Sequence, residues 1–299
     1  MSNNTLHGII PYLVSPIEQE TGKVRTDVLH QLSVDLIEKG VHGLSPLGSA
    51  GEVHYLNWEQ RKKIVSTVVE ASNGQVPVVP GVTAYTPESA IEQIRFYESL
   101  GVYGVVFIID TYFKLSDKEI VSFIRTVAEA VSCEVVLYNN PTFSNVDIKP
   151  NVVLELAEVE NINYFKDATG ETSRLLTIMN QTNDIKIFSA SAHIPLAVMQ
   201  FGGVGWMAGP ACVFPKESGE LYRLVCNQEW DKAMKLQRSL WGINEVFKKY
   251  TPAKSMKASL EIQGYNVGDP ILPLTPLNKQ DKEEISNALQ KIKHLINIT

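Results

Sequence analysis

Cysteine is scarce in this chain, and the three present (Cys133, Cys212 and Cys226) are odd in number and fall at no metal-ligand spacing. They speak for neither a disulfide framework nor a thiolate metal site, and buried or free thiols in a reducing compartment are expected. Long apolar runs are missing too. None approaches the roughly 20 residues that a membrane helix needs, so no membrane partner is expected. Basic charge is not in excess: the formal net charge is −6, which argues against nucleic acid as the main partner. The lysine pairs 62–63 and 248–249 sit on helical patterns and read as solvated faces. No Gly-x-Gly-x-x-Gly fingerprint opens the first helix, which removes support for a dinucleotide-binding sheet. There is no low-complexity stretch. Residues 1–5 lack the basic and apolar regions of a signal peptide, and the cytoplasm is the expected location.

What is present is an alternation. The 299 residues, 44% hydrophobic and 20% charged, are enough to bury a large core without staples. Length alone suggests about two domains, but a barrel of alternating strands and helices typically takes about 250 residues in one. Short β-rich runs are expected at residues 8–14, 43–46, 77–80, 104–109, 134–138, 162–166, 185–188 and 205–207. Between them lie helical patterns at 27–38, 58–71, 87–100, 117–130, 150–157, 171–180 and 193–200. The strands are nearly continuous apolar runs, the kind buried on both faces of a parallel sheet. Eight alternations predict an α/β fold, a (β/α)8 TIM barrel over residues 1–226. Three further helical patterns, at 229–248, 252–263 and 279–296, predict a C-terminal helical extension over residues 227–299 that serves packing or oligomerisation.

In such a barrel the active site lies at the C-terminal ends of the strands. Lys166 ends the sixth expected strand and is followed at once by Asp167-Ala168-Thr169-Gly170. An amine there is a candidate for Schiff-base formation with a carbonyl substrate. Tyr138 ends the fifth, within Tyr138-Asn139-Asn140-Pro141. The two are 28 residues apart, about one βαβ repeat, so they are expected to end adjacent parallel strands. After the second strand, Gly48-Ser49-Ala50-Gly51-Glu52 forms a glycine-flanked turn whose N–H groups and Ser49 hydroxyl suit a carboxylate or phosphate. An amine, a phenol and an anion cradle together suit 2-oxo acids. The lysine imine acts as the electron sink, so no metal and no organic cofactor is expected.

Three motifs in register, GSAGE, YNNP and KDATG, with FGGVGWMAG at the eighth strand, carry a resemblance to the dihydrodipicolinate synthase / N-acetylneuraminate lyase family of Schiff-base pyruvate aldolases. The resemblance covers about residues 6–265. It implies a (β/α)8 barrel with a C-terminal helical domain, in an oligomer that is usually a tetramer of two tight dimers. It assigns imine formation to Lys166, proton transfer to Tyr138, carboxylate binding to Ser49 and Ala50, and a backbone carbonyl towards pyruvate to Met207.

The departures bear on substrate. Where the synthase proper has two threonines, this chain has Ser49 and Ala50, and alanine carries no relay hydroxyl. The relay tyrosine lent across the dimer aligns with Phe113, with Tyr112 adjacent. The arginine that holds the second substrate's carboxylate is replaced by Phe143, against which an anion is costly to bury. The expected activity is therefore a lyase acting on a pyruvate-containing 2-oxo acid. A 2-keto-3-deoxy sugar-acid aldolase or dehydratase, a sialic-acid-type lyase and a hydroxyproline-pathway deaminase all fit. The alternatives are genuine condensation of pyruvate with aspartate semialdehyde, and a non-catalytic 2-oxo-acid-binding barrel. Ser189 and Ser191 either contact substrate hydroxyls or cap the next helix, and Asp110 stands where it could touch the distal substrate. Glu52 is expected to orient its loop through backbone N–H groups, and Trp206 to fill the barrel. His54 and His193 have no partner at metal spacing.

Overall fold

In the computed structural model, which describes residues 5–292 and 295, the described residues form two compact units, one up to residue 78 together with those from 207 onward, the other residues 79–206. The first opens with strand β1 (Gly8–Pro11), helix α1 (Thr26–Glu38) and helix α2 (Trp58–Ser72). The second holds β2 (Gly81–Ala84), α3 (Pro87–Ser99), β3 (Gly104–Ile109), α4 (Asp117–Glu129), β4 (Glu134–Asn139), α5 (Pro141–Ser144), α6 (Pro150–Leu156), β5 (Tyr164–Asp167), α7 (Thr172–Met179), β6 (Lys186–Ser189) and α8 (Pro195–Gln200). Strand β7 (Gly205–Ala208) returns the chain to the first unit. There α9 (Pro210–Val213), α10 (Pro215–Cys226), α11 (Trp230–Phe247), α12 (Pro252–Ile262) and α13 (Lys279–Ile292) complete it.

The strands form one sheet in the order β1-β7-β6-β5-β4-β3-β2, and every ladder from β2 to β7 is parallel. The expected second strand is present only as two parallel bridges, Tyr12 to Ser45 and Leu44 to Val78. Its backbone still pairs on both sides: the Leu44 N–H donates to Pro77 and the Ser45 N–H to Pro11. Pro46 then removes a donor, and Leu47 takes φ +63°, which ends the run after two residues. With that segment in place the architecture is the expected (β/α)8 barrel with a C-terminal helical region.

Local chemistry explains the starts of the helices. Asn57 with Gln60 forms a capping box on α2, and Ser116 with Glu119 one on α4, each satisfying donors that the first turn leaves open. Thr86 caps α3, where Pro87 supplies a pre-set φ at the first position. All six residues of β3 are buried and apolar, as a strand covered on both faces requires.

Boundaries differ from the sequence expectation where proline or a long apolar run hides them. Strand β1 stops at Pro11, short of residue 14, and the third expected strand falls at 81–84, beyond the two prolines of 77–80. Helix α8 begins at Pro195, after the expected 193. The short α5 and α9, and the full three turns of α10, had no counterpart in the expectation. All three begin at a proline, Pro141, Pro210 and Pro215. Helix α13 is described to Ile292, so the expected end at 296 lies outside the described residues. No helix among the described residues is long and apolar enough to cross a membrane.

Candidate active site

The ladder between β4 and β5 pairs Tyr138 directly with Lys166 and Asn139 with Asp167. Successive strand residues point to opposite faces, so this register sends the two motif pairs to two different sides of the sheet. On one side the Lys166 Nζ lies 3.7 Å from the centroid of the Tyr138 ring. Both residues are buried, Lys166 at 4% exposure. Burial takes the ammonium out of water and drives the Lys166 pKa well below the ordinary lysine value. The tyrosine face opposes this by favouring the cation, but such contacts are worth only about 0.5–2 kcal/mol. Desolvation is the larger effect, and it shifts the amine towards its neutral, nucleophilic form. The Tyr138 hydroxyl accepts a hydrogen bond from the Asn140 side-chain amide at 2.8 Å, a contact that uses the oxygen and not its proton.

The other side holds the pair in place. The Asn139 amide donates to Asp167 at 2.9 Å and to Asp147 at 3.1 Å, and its carbonyl accepts the Ile148 N–H. Arg174 on α7 donates to both Asp147 oxygens, at 2.7 and 3.3 Å, and lies 3.9 Å from Asp167. Asp167 also accepts the Thr169 N–H and hydroxyl, which turns the chain at the end of β5. Gly170 follows at φ +78°, where the His193 ring sits 3.1 Å from the position of any added Cβ. The KDATG and YNNP motifs are thus mostly turn and clamp residues that aim one lysine and one tyrosine. Burial pushes the Asp167 carboxyl up, whereas the Arg174 hydrogen bonds hold Asp147 below the usual carboxylate range.

Arg174→Leu would strip the guanidinium from a carboxylate whose side chain is 1% exposed and from one that is 39% exposed. Breaking a fully buried pair costs about 3–5 kcal/mol, and solvent at Asp147 lowers the expected loss to about 2–3. Urea denaturation at pH 7 measures it. Asp147 has a depressed folded pKa, so its contribution is complete above the unfolded carboxyl pKa and fades as pH falls through the folded one. The gap between wild type and Arg174→Leu should therefore shrink in acid.

Ser189 pairs with Asp167 across the β5–β6 ladder, in the row that alternates with Lys166, and donates its hydroxyl to the Ser191 carbonyl. The Ser191 hydroxyl donates to Ala168. Tyr112, Phe113 and Phe143 are 84%, 75% and 60% exposed, and the first two rings meet edge to face. Asp110 follows β3, half-buried. Trp206 is fully buried, and His54 and His193 are exposed.

Ser49, Ala50 and Met207 belong to the other unit. Met207 is buried in β7, Ala50 is buried and Ser49 partly so. Among the described residues no hydrogen bond engages the N–H of Ser49 or of Ala50. Glu52 accepts the Ile271 N–H at 2.6 Å and pairs with Lys257 at 2.7 Å. The backbone N–H it accepts comes from the distant Ile271 and not from its own loop, and Lys257 had no place in the expectation. No group of three or more His, Cys, Asp or Glu side chains suited to a metal occurs among the described residues. Sequence reasoning also missed Arg174, Asp147 and the role of Asn139.

Comparison with known proteins matches the chain over residues 5–292 to the model of the dihydrodipicolinate synthetase family. The 4-hydroxy-tetrahydrodipicolinate synthase of Pelobacter propionicus is 30% identical over 284 residues, covering 95% of this chain and 97% of that one. Among solved structures, the chloride-inhibited dihydrodipicolinate synthase of Acinetobacter baumannii complexed with pyruvate superposes with a TM-score of 0.90 at 26% identity. It covers 97% of this chain and 99% of its own. YagE of E. coli K12, a prophage protein of the same family also in complex with pyruvate, gives 0.90 at 25% identity, over 96% and 98%. Fold and relatives together define a (β/α)8-barrel enzyme of the lyase class. The chain belongs to the dihydrodipicolinate synthetase family.

Proposed function

We propose that this protein is a lyase that acts on a pyruvate-containing 2-oxo acid through a Schiff base on Lys166. The observation that carries the reading is a desolvated amine 3.7 Å over the ring of a tyrosine on the paired strand. The pyruvate complexes of two family members support the first substrate.

In the cleavage direction the Lys166 Nζ attacks the keto carbon, and loss of water gives the imine. The protonated imine withdraws electrons, so the C3–C4 bond breaks with its pair moving towards nitrogen. Tyr138, having given its own proton to the water lost in imine formation, takes the proton from the C4 hydroxyl as phenolate while the carbonyl product leaves, and passes it to C3. Water hydrolyses the imine, and pyruvate departs. The substrate carboxylate is held by the open N–H groups of Ser49 and Ala50 with the Ser49 hydroxyl, and the Met207 carbonyl faces pyruvate. The protein works in the cytoplasm as a homo-oligomer, with residues 227–299 as its helical domain.

Borohydride reduction with pyruvate, followed by peptide mass spectrometry, tests the covalent step. An adduct on Lys166 is expected, and its absence would overturn the mechanism. A screen of 2-keto-3-deoxy acids and amino-sugar acids then identifies the substrate.

A second reading, condensation of pyruvate with aspartate semialdehyde, is favoured by the names of the relatives. Against it stands Phe143, whose ring offers an incoming carboxylate no charge to pair with. Condensation is expected to run well below the about 1 s⁻¹ of an ordinary enzyme. Phe143→Arg should raise it tenfold or more. A wild-type rate in the ordinary range would instead establish the synthase reading.

A further inference from the structure

One buried charge pair has no part in the chemistry above. The side chains of Lys257 on α12 and of Glu52 at the end of the Gly48–Gly51 turn are each 1% exposed, and their charged atoms lie 2.7 Å apart. The Lys257 Nζ also donates to the Asp269 carbonyl at 2.9 Å, and Glu52 accepts the Ile271 N–H at 2.6 Å. Burial raises the carboxyl's pKa and lowers the ammonium's, and their pairing pulls each back. Stability alone is a weak reason for burying two charges, because an apolar pair of similar volume often serves the fold as well.

The turn itself supplies one. It is flanked by two non-glycine residues in the left-handed region, Leu47 at φ +63° and Glu52 at φ +55°. A leucine there is strained and persists only where its surroundings over-determine it. At Gly48 an added Cβ would fall 2.0 Å from the Tyr12 ring, and at Gly51 it would fall 2.9 Å from the Leu13 carbonyl. The Ser15 hydroxyl donates to the Gly51 carbonyl at 2.6 Å. Both shoulders of the turn are therefore clamped, while the N–H groups at its apex, on Ser49 and Ala50, remain unengaged among the described residues. Met256, next to Lys257, and Ala50 both border Gly209, each within 3.5 Å of where its Cβ would be.

We propose that Lys257 is a positioning residue which, through Glu52, holds the Gly48–Gly51 turn in the conformation that grips the substrate carboxylate. The C-terminal helical region thereby sets the affinity for the 2-oxo acid without touching it. This rests on the reading of Ser49 and Ala50 as the carboxylate cradle.

The test measures the concentration of pyruvate that gives half-maximal borohydride trapping on Lys166, with uncharged pyruvamide alongside. In Lys257→Met the pyruvate half-saturation is expected to rise tenfold or more, with the trapping rate at saturation within twofold of wild type. The pyruvamide half-saturation should move less than twofold, because it offers no carboxylate. The double variant Glu52→Gln/Lys257→Met leaves neither charge buried, so it carries the same test if the single variant fails to fold. Folded variants that trap pyruvate with wild-type half-saturation, or that lose pyruvate and pyruvamide equally, overturn the positioning role. Wild-type protein that forms no adduct at all overturns the parent reading instead, which is a separate result.

Discussion

Lys166→Met is expected to abolish the pyruvate adduct, lower lyase activity about 10⁴-fold or more, and make the protein more stable. The first two effects follow from removing the nucleophile, for which no other group in the β4–β5 pair substitutes. The third follows from the burial of the amine. Its folded pKa lies well below the about 10.4 of an unfolded lysine. At any pH between the two, the unfolded chain binds a proton that the folded one does not. Stability therefore rises with pH through that window, and at neutral pH the lysine opposes folding. Methionine fills nearly the same space and carries no proton to shed. Urea midpoints of the two proteins at pH 7 and pH 9.5 check this: the variant should be more resistant, by a margin that narrows at the higher pH. Equal midpoints at both would mean that Lys166 is solvated and charged, and the nucleophile would need another source of activation.

The same desolvation explains why Lys166 was readable in the sequence. A lysine that closes an apolar strand and precedes a turn motif is anomalous, because lysines usually end in water. Tyr138 followed from spacing, since a 28-residue βαβ unit sets neighbouring strands in register, and the ladder pairs the two residues. The barrel was legible because strands covered on both faces are continuously apolar, as β3 is. What spacing could not give is the set of groups behind the sheet. Arg174 and Asp147 meet only when α7 and the loop after α5 fold against Asn139 and Asp167, and neither residue type is unusual where it stands. Lys257 did leave a signal. It falls on the stripe of Ala253, Met256 and Leu260 that α12 buries, and a lysine on an apolar helical face calls for a partner carboxylate. The two-residue second strand and α10 escaped for the opposite reason. Prolines at 46 and 215 punctuate segments whose pairing and packing are decided by distant chain.

Tyr138→Phe separates binding from proton transfer. The phenylalanine ring keeps its place beneath the Lys166 amine, so the burial that lowers the amine's pKa is preserved and borohydride should still trap pyruvate on Lys166. Turnover is another matter. Without the hydroxyl no side chain of the β4–β5 pair can take the proton from the breaking C3–C4 unit, and kcat should fall about 10²–10⁴-fold, the usual range for a lost general acid–base group. KM should change little, because the lost contact acts in the transition state. There is also a cost to the fold: Asn140, 8% exposed, loses the acceptor for its amide, worth about 1–3 kcal/mol. Asn140→Ala makes the complementary test. It leaves the hydroxyl in place but releases the 2.8 Å contact that fixes its direction, so kcat should drop about tenfold. If Tyr138→Phe turns over within tenfold of wild type, the proton must travel through the substrate's own hydroxyls or through water. Tyr138 would then serve only to desolvate and face the lysine.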